Sequence, residues 1–158
     1  MGRETSKDII QMLNLVLTGE LTAVNQYFLH AKMFQNWGYE RLHASIRAES
    51  IDEMKHADAL IERVLYLEGI PNVQRLGKIN IGEKPEECLR SDLQLEYDAL
   101  PRLQEGIVQC SQAGDNGSRL LLEQILASEE QHVDWLEAQL QLITQVGIQA
   151  YLAEQIRA

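Results

Sequence analysis

The chain repeats one spacing of carboxylate and imidazole residues in its two halves. Glu20 is followed 33 residues later by a Glu-x-x-His at residues 53–56, and Glu96 is followed 33 residues later by another at residues 129–132. The two copies are offset by 76 residues throughout (96 − 20 and 129 − 53). On helices, this repeat predicts two matching hairpins that bring four carboxylates and two imidazoles to one point.

The composition favours helices over sheet. The chain has 158 residues, 45 % of them hydrophobic, with only three Pro and ten Gly, which predicts a single all-α domain spanning residues 1–158. A net charge of −10 argues against binding to nucleic acid or to an anionic membrane surface. No signal peptide and no apolar stretch of roughly 18 residues is present, so we expect a cytoplasmic protein. Cys88 and Cys110 form no C-x-x-C motif and are expected to be buried thiols.

Four stretches carry apolar residues at steps of three and four, as the buried faces of helices do. Each stretch also has a glutamate at an inward position, where a leucine would be expected. The inward residues of the first two helices are Ile9, Leu13, Val16, Glu20, Val24, Tyr27 and Ala31, then Ile46, Glu49, Glu53, His56, Ala57, Leu60, Val64 and Leu67. Those of the next two are Leu89, Leu93, Glu96, Leu100, Leu103, Ile107 and Cys110, then Leu122, Ile125, Glu129, His132, Leu136, Leu140 and Ile143. The pattern predicts a four-helix bundle over about residues 5–145.

Capping and turn residues place the helix ends. Thr5 or Ser6 is expected to cap the first helix and Ser118 the fourth. The Asn-Trp-Gly of residues 36–38 and the Gly-Asp-Asn-Gly of residues 114–117 are typical of hairpin turns.

A long connection separates the two hairpins. Residues 68–84 show no helical period, and about 15 extended residues can reach roughly 50 Å, enough to cross a bundle of 28-residue helices. We expect the third helix to begin at Pro85 and to kink at Pro101. A short fifth helix is predicted over 148–157, with four apolar residues that must pack on something: Ile148, Tyr151, Leu152 and Ile156.

The repeated inward glutamates, one on each of the four stretches, need an explanation. A buried unpaired carboxylate costs several kcal/mol, and a domain has a net stability of only about 5 to 15 kcal/mol. Either some of them reach solvent at helix edges, with His56 and His132 as ordinary histidines, or bound cations neutralise them. The equal spacing in both halves favours two dications that share carboxylates and each bind one imidazole. Fe(II) and Mn(II) accept such ligands.

The chain resembles the bacterioferritins, the haem-binding branch of the ferritins. The resemblance covers almost the whole chain, through residues 19–21, 25–31, 36–38, 49–58, 67–69, 89–93 and 132–136. It implies a ferritin-like four-helix bundle with a long crossover between helices 2 and 3. It also implies a shell of 24 subunits around a cavity, with the fifth helix near a fourfold axis.

The resemblance assigns roles to individual residues. It implies a di-iron centre in which Glu53 and Glu129 are the bridging carboxylates. The terminal carboxylates would be Glu20 and Glu96, and the imidazole ligands His56 and His132. Met54 matches the methionine that, from each of two subunits, ligates one haem b at their interface. A thioether pair favours reduced haem iron, which suits electron transfer.

Neighbouring positions refine this expectation. Tyr27 and Trp135 either lie beside the centre as hydrogen-bonding or redox neighbours or serve packing. Leu60 replaces a tyrosine of some relatives, and Ala48 replaces a histidine of an inner-surface iron site, so that site is not expected here. Two carboxylates can still guide iron: Glu49 and Asp52.

The function implied by the resemblance is iron storage and detoxification. A ferroxidase would oxidise Fe(II) with dioxygen or peroxide and store the ferric mineral in the shell, built from this subunit alone or mixed with a second ferritin subunit. A small iron–sulfur ferredoxin is the implied reductant. Two alternatives remain: a DNA-protecting helical shell, and a di-iron or di-manganese enzyme that consumes peroxide without storing metal.

Overall fold

The computed structural model describes residues 3–157, and the surroundings of side chains from Ser6 onward. Met1, Gly2 and Ala158, which belong to the predicted domain, lie outside the described residues. The described part contains five helices and no strand: α1 Arg3–Trp37, α2 Glu40–Tyr66, α3 Pro85–Ala113, α4 Asn116–Val146 and α5 Ile148–Ala153. The predicted all-α class, with four long helices and a short fifth, is therefore confirmed.

The four long helices form two hairpins that pack together. α1 packs along α2 and α3 along α4, while contacts of α1 with α3 and of α2 with α4 close the bundle. The predicted inward residues are buried, except for five that are only partly buried: Val24, His56, Leu67, Leu100 and Ile107. Periodicity along the chain therefore located the interior of the bundle.

The interior is divided into two apolar clusters with a polar layer between them. One cluster, towards α5, is centred on Phe34, Leu42 and Leu136, and the other on Leu13 and Leu60. Cys88 belongs to the first and Cys110 to the second, and both are free and buried, as expected. The layer between the clusters holds the inward glutamates, so the apolar packing on both sides isolates them from water.

The crossover runs the length of the bundle along α1. Its backbone amides donate to α1 side chains in parallel order: Asn72 to Asn14 Oδ1 (2.8 Å), Gly77 to Thr22 Oγ1 (2.8 Å), Asn80 to Gln26 Oε1 (3.0 Å) and Gly82 to His30 Nε2 (3.1 Å). The chain thereby returns to the far end of the bundle before α3 begins at Pro85. The predicted role of this long segment is confirmed.

Both predicted hairpin turns contain a left-handed glycine. Gly38 has φ +90° after α1, and Gly114 has φ +72° after α3. A side chain would be strained in that region of backbone space, whereas glycine adopts it without cost. α3 runs on through Pro101, and the kink expected there stays a prediction.

Both capping predictions were wrong. α1 already includes Arg3, so Thr5 and Ser6 lie within its first turn. α4 is capped by Asp115, whose Oδ1 accepts from the backbone amide of Ser118 at 3.0 Å, while Oδ2 accepts from the Ser118 hydroxyl at 2.6 Å. Ser118 lies inside the first turn of α4, where its amide and its hydroxyl both donate to the capping carboxylate, so it does not itself occupy the cap position.

The fifth helix is shorter than predicted. It ends at Ala153 rather than near residue 157, and Tyr151 packs into the first apolar cluster with its hydroxyl donating to Gln139 Oε1 at 2.7 Å. Ile148 and Ile156 are 37 % and 55 % exposed in the single subunit, so the packing expected of these two residues stays a prediction. None of the helices in residues 3–157 is both long and apolar enough to span a membrane.

Candidate metal centre

The polar layer brings all six repeated residues together. Each helix of the bundle contributes at that level: α1 one glutamate, α3 one glutamate, and α2 and α4 a Glu-x-x-His each, namely Glu20, Glu96, Glu53 with His56, and Glu129 with His132. All are buried apart from His56, which is partly buried. A residue and its neighbour three positions later share one helix face, which explains how each Glu-x-x-His presents both groups inward.

The six residues form two overlapping groups. Glu20, Glu53, His56 and Glu129 offer ligand atoms that all lie within 4.8 Å of one another, and so do Glu53, Glu96, Glu129 and His132. Glu53 and Glu129 belong to both groups. The geometry therefore suits two cations that share two carboxylates.

Each shared carboxylate turns one oxygen to each imidazole. Glu53 Oε2 lies 3.6 Å from His56 Nδ1, and Glu53 Oε1 lies 3.1 Å from His132 Nδ1. Glu129 does the same, with Oε1 at 3.0 Å from His56 Nδ1 and Oε2 at 3.5 Å from His132 Nδ1. The terminal carboxylates complete the groups: Glu20 Oε2 is 3.5 Å from His56 Nδ1, and Glu96 Oε1 is 3.5 Å from His132 Nδ1.

These atoms converge without bonding one another. Five of them are buried and have no hydrogen-bond partner: Glu53 Oε1, His56 Nδ1, Glu96 Oε2, Glu129 Oε1 and His132 Nδ1. Two pairs among them are close enough for a hydrogen bond, His56 Nδ1 with Glu129 Oε1 at 3.0 Å and His132 Nδ1 with Glu53 Oε1 at 3.1 Å, so in these pairs the direction of approach is unsuitable and not the distance. Buried polar atoms without partners are costly, and a cation between them would satisfy all five.

The electrostatics of the site favour bound cations. Burial and the adjacent Glu129 carboxylate raise the pKa of Glu96 to about 8. Burial lowers the pKa of His56, but the neighbouring Glu129 and Glu53 carboxylates outweigh it and raise that pKa to about 9. The same two carboxylates raise the pKa of His132 against the effect of its burial. The metal-free site therefore retains protons that dications would displace.

Two neighbours contact the site directly. The Tyr27 hydroxyl donates to Glu96 Oε1 and also approaches the backbone carbonyl of Asp92 at 3.2 Å, which agrees with the interpretation of Tyr27 as a hydrogen-bonding neighbour. Asp52 Oδ2 lies 3.2 Å from His132 Nε2. Because that nitrogen then carries the proton, the lone pair of His132 Nδ1 is free for a cation. Trp135 is partly buried against the first apolar cluster, which agrees with packing.

The periodicity placed Glu49 on the inward face of α2, and it is buried there, which raises its pKa well above the usual value. Sequence reasoning missed one buried group near the site. A fully buried cluster of Gln26, His30 and Asp92 was not anticipated. Its signal was available: Gln26 and His30 lie four residues apart on α1, and Asp92 lies four residues before Glu96 on α3.

Met54 points out of the bundle, as expected. It is 52 % exposed on α2, and Ile51, three residues earlier on the same helix face, is 41 % exposed. An exposed thioether beside an exposed apolar side chain could bind the iron of a haem. A second subunit would then supply the other ligand. The exposed Met54 sulfur and the neighbouring Ile51 are compatible with a haem ligand on this face of α2.

Comparison with known proteins identifies the family to which the chain belongs. The model of the ferritin-like domain matches residues 10–146. The chain is 50 % identical to bacterioferritin BfrA of Mycobacterium tuberculosis over 93 % of its length and 92 % of that protein. It is 48 % identical to the bacterioferritin of Mycobacterium leprae, with the same coverage of both chains. With the bacterioferritin of Streptomyces coelicolor it shares 45 % identity over 92 % of this chain and 87 % of the other. The chain therefore belongs to the bacterioferritin family and has a ferritin-like domain.

Proposed function

We propose that the protein stores iron and acts as a ferroxidase, with Fe(II) as its substrate at the six-residue centre. The observation that carries this proposal is the pair of buried ligand groups sharing Glu53 and Glu129, whose facing atoms have no hydrogen-bond partner. Four carboxylates supply four negative charges, which balance two dications. Each metal position offers hard oxygen ligands and one imidazole, a combination that suits Fe(II).

Each residue has a distinct role in this proposal. Glu53 and Glu129 bridge the two iron ions, Glu20 and His56 complete one position, and Glu96 and His132 complete the other. Two Fe(II) ions lose one electron each. Together with two protons, these two electrons convert hydrogen peroxide to two water molecules, or dioxygen to hydrogen peroxide. The ligands therefore hold both electron donors within reach of one oxidant molecule.

The surrounding residues keep the ligands oriented. Asp52 holds the proton of His132 on Nε2, and Tyr27 donates to Glu96, so both ligands of the second position are fixed from outside. The protons that Glu96 and the imidazoles hold in the absence of metal leave when iron binds. Apolar clusters on both sides exclude bulk water from the pair.

Met54 is proposed as the axial ligand of haem b between two subunits. When bound, this haem supplies a one-electron relay between an external reductant, for which we propose a small iron–sulfur ferredoxin, and the stored iron. The contribution of this chain is the exposed Met54 sulfur and the apolar surface around it. The relatives named bacterioferritins support this assignment.

Storage requires an assembly, for which we propose a shell of 24 copies, alone or mixed with a second ferritin subunit, in the cytoplasm. Ile148, Ile156 and Val146 near α5 are exposed in the single subunit. Contact with neighbouring subunits would bury this apolar surface. The ligand groups lie within one chain, so each subunit would carry a complete centre, which speaks against the DNA-protecting alternative with its ligands at subunit interfaces.

Anaerobic Fe(II) mixed with oxygenated protein in a stopped-flow instrument tests the proposal. Glu53→Ala and Glu129→Ala each remove a ligand from both positions, and we expect each to lower the oxidation rate by more than about 100-fold. Glu123→Ala, a change of an exposed glutamate on α4, is the matched control and should oxidise iron at the wild-type rate. Unchanged rates in both bridging variants would reject the site. Rapid oxidation without a mineral core would instead favour the peroxide-consuming enzyme.

A further inference from the structure

A buried polar cluster joins the crossover to α1 and α3 beside the metal centre. Asp92 Oδ1 lies 2.7 Å from His30 Nδ1 and accepts from Gln26 Nε2 at 2.8 Å, and all three residues are fully buried. The other ends of the two α1 side chains bond the crossover: Gln26 Oε1 accepts from the amide of Asn80, and His30 Nε2 from the amide of Gly82. The cluster therefore ties three segments to one carboxylate.

The hydrogen bonds fix the state of the histidine. A backbone amide can only donate, so His30 Nε2 accepts from Gly82 and carries no proton. The ring proton is on Nδ1 and is donated to Asp92 Oδ1. A neutral His30 with a single tautomer holds the carboxylate in one orientation, because rotation of either group would break two bonds.

The cluster continues to the metal centre through Tyr27. This tyrosine follows Gln26 on α1, and its hydroxyl lies 3.2 Å from the Asp92 backbone carbonyl while donating to Glu96 Oε1. Tyr27 is fully buried. The Asp92 cluster and the contact between Tyr27 and Glu96 therefore join the same two helices, α1 and α3, at positions four residues apart on α3.

A charged group is not needed merely to attach the crossover. Elsewhere the crossover bonds neutral side chains of α1, Asn14 and Thr22. Burying a carboxylate is costly: burial raises the pKa of Asp92, and the hydrogen bonds of His30 and Gln26 offset that rise only in part. Asp92 Oδ2 has no partner at all. Well-packed apolar residues can hold two helices together without the cost of a buried carboxylate.

We propose that Asp92 and His30 are positioning residues of the metal centre, which act through Tyr27 to hold Glu96 in place for the cation at the Glu96–His132 position. This inference rests on the proposed function. It predicts that breaking the cluster weakens one of the two metal positions and leaves the other intact.

Anaerobic titration with Co(II), followed by its visible d–d absorption, measures both positions separately. Asp92→Ala and His30→Leu should each weaken Co(II) binding at the Glu96–His132 position by about 10- to 100-fold, the usual effect of residues that support a metal ligand. Asp92→Asn keeps an acceptor oxygen for His30 and Gln26, so it should lose less. Because Asp92 acts through Tyr27, Asp92→Ala should cause little further loss in a Tyr27→Phe background.

The control is Asp115→Asn, which alters another buried carboxylate, bonded to Arg63 and Ser118 far from the centre. It should lower Tm without changing Co(II) binding. Two results would overturn this inference and leave the proposed function standing. One is wild-type Co(II) affinity in both Asp92→Ala and His30→Leu. The other is a double variant in which the losses of affinity of Tyr27→Phe and Asp92→Ala simply multiply. If Asp92→Ala does not fold, His30→Leu carries the same test. A wild-type protein that binds no Co(II) pair would reject the proposed function as well.

Discussion

The two halves of the chain provide the same ligands but different support for them. Adding the 76-residue offset to Tyr27 and Asp52 leads to Leu103 and Ser128 (27 + 76 and 52 + 76). Tyr27 donates to Glu96, and Asp52 contacts His132, whereas the equivalent leucine lacks a hydroxyl to offer and the equivalent serine lacks a charge. The duplicated spacing therefore produces two similar ligand groups of unequal rigidity.

This difference assigns unequal properties to the two metal positions. The position of Glu96 and His132 has both of its own ligands held from outside, so we expect the tighter and more rigid binding there. The position of Glu20 and His56 lacks these partners, and His56 is more exposed than His132. We expect this position to exchange iron more readily, which suits a centre that must load and release its substrate.

The largest effect is expected from removing one terminal carboxylate at a time. Glu20→Gln and Glu96→Gln each disable one position, so Co(II) titration should show one tight site per subunit instead of two. Because oxidation needs both Fe(II) ions, each variant should oxidise iron about 100-fold more slowly or worse in stopped-flow measurements. Two tight sites in either variant would remove that glutamate from the ligand set.

The support of His132 by Asp52 gives the next largest effect. Asp52→Asn should weaken Co(II) binding at the Glu96–His132 position by about 10- to 100-fold and leave the other position unchanged. The matched control is Asp58→Asn, at an exposed position on the same helix, which should bind Co(II) as the wild type does.

The reverse change, Ser128→Asp, would give His56 the carboxylate that His132 already has. We expect it to raise Co(II) affinity at the Glu20–His56 position and to reduce the difference between the two positions. A weaker or unchanged first position in Ser128→Asp would contradict the comparison of the halves.

The pH dependence of stability should change with metal. The pKa of His56 is raised from 6.5 to about 9 and that of Glu96 from 4.5 to about 8. In both cases the folded state binds the proton more tightly, so the contribution to stability is lost as pH rises through these ranges. Between pH 6.5 and 8 the metal-free protein should therefore lose Tm, while Co(II) should raise Tm more at pH 8 than at pH 6.5.

Differential scanning fluorimetry with and without Co(II) measures this interval. Glu96→Gln, which mimics the protonated acid, should flatten the metal-free pH dependence. A metal-free Tm that rises from pH 6.5 to 8 would contradict the assigned pKa directions.

The smallest effect on iron oxidation is expected at Met54, which lies outside the ligand groups. Met54→Leu keeps the apolar surface but removes the sulfur, so the purified protein should lose the visible spectrum of bis-methionine haem. Its rate of Fe(II) oxidation should stay at the wild-type value. Full haem content in Met54→Leu would show that another residue ligates the haem.

The sequence predicted most of the fold and the convergence of the six residues. Periodicity located Glu20 and Glu96 on buried faces, because a helix turns by a fixed angle per residue. It could not predict the Asp115 cap or the early end of α5, since these depend on local competition between side chains and on packing partners beyond the helix itself. The four-residue spacing of Gln26 and His30 places both on one face of α1, but it could not show that His30 bonds the Gly82 amide of the crossover, because a backbone amide has no sequence signature.

The most direct test of the account is a crystal soaked anaerobically in ferrous salt, with anomalous data collected at the iron edge. We predict two iron peaks per subunit roughly 3.5 to 4 Å apart, one bound by Glu20 and His56 and the other by Glu96 and His132, with Glu53 and Glu129 bridging them. An empty centre, or side chains that turn away from one another, would contradict it.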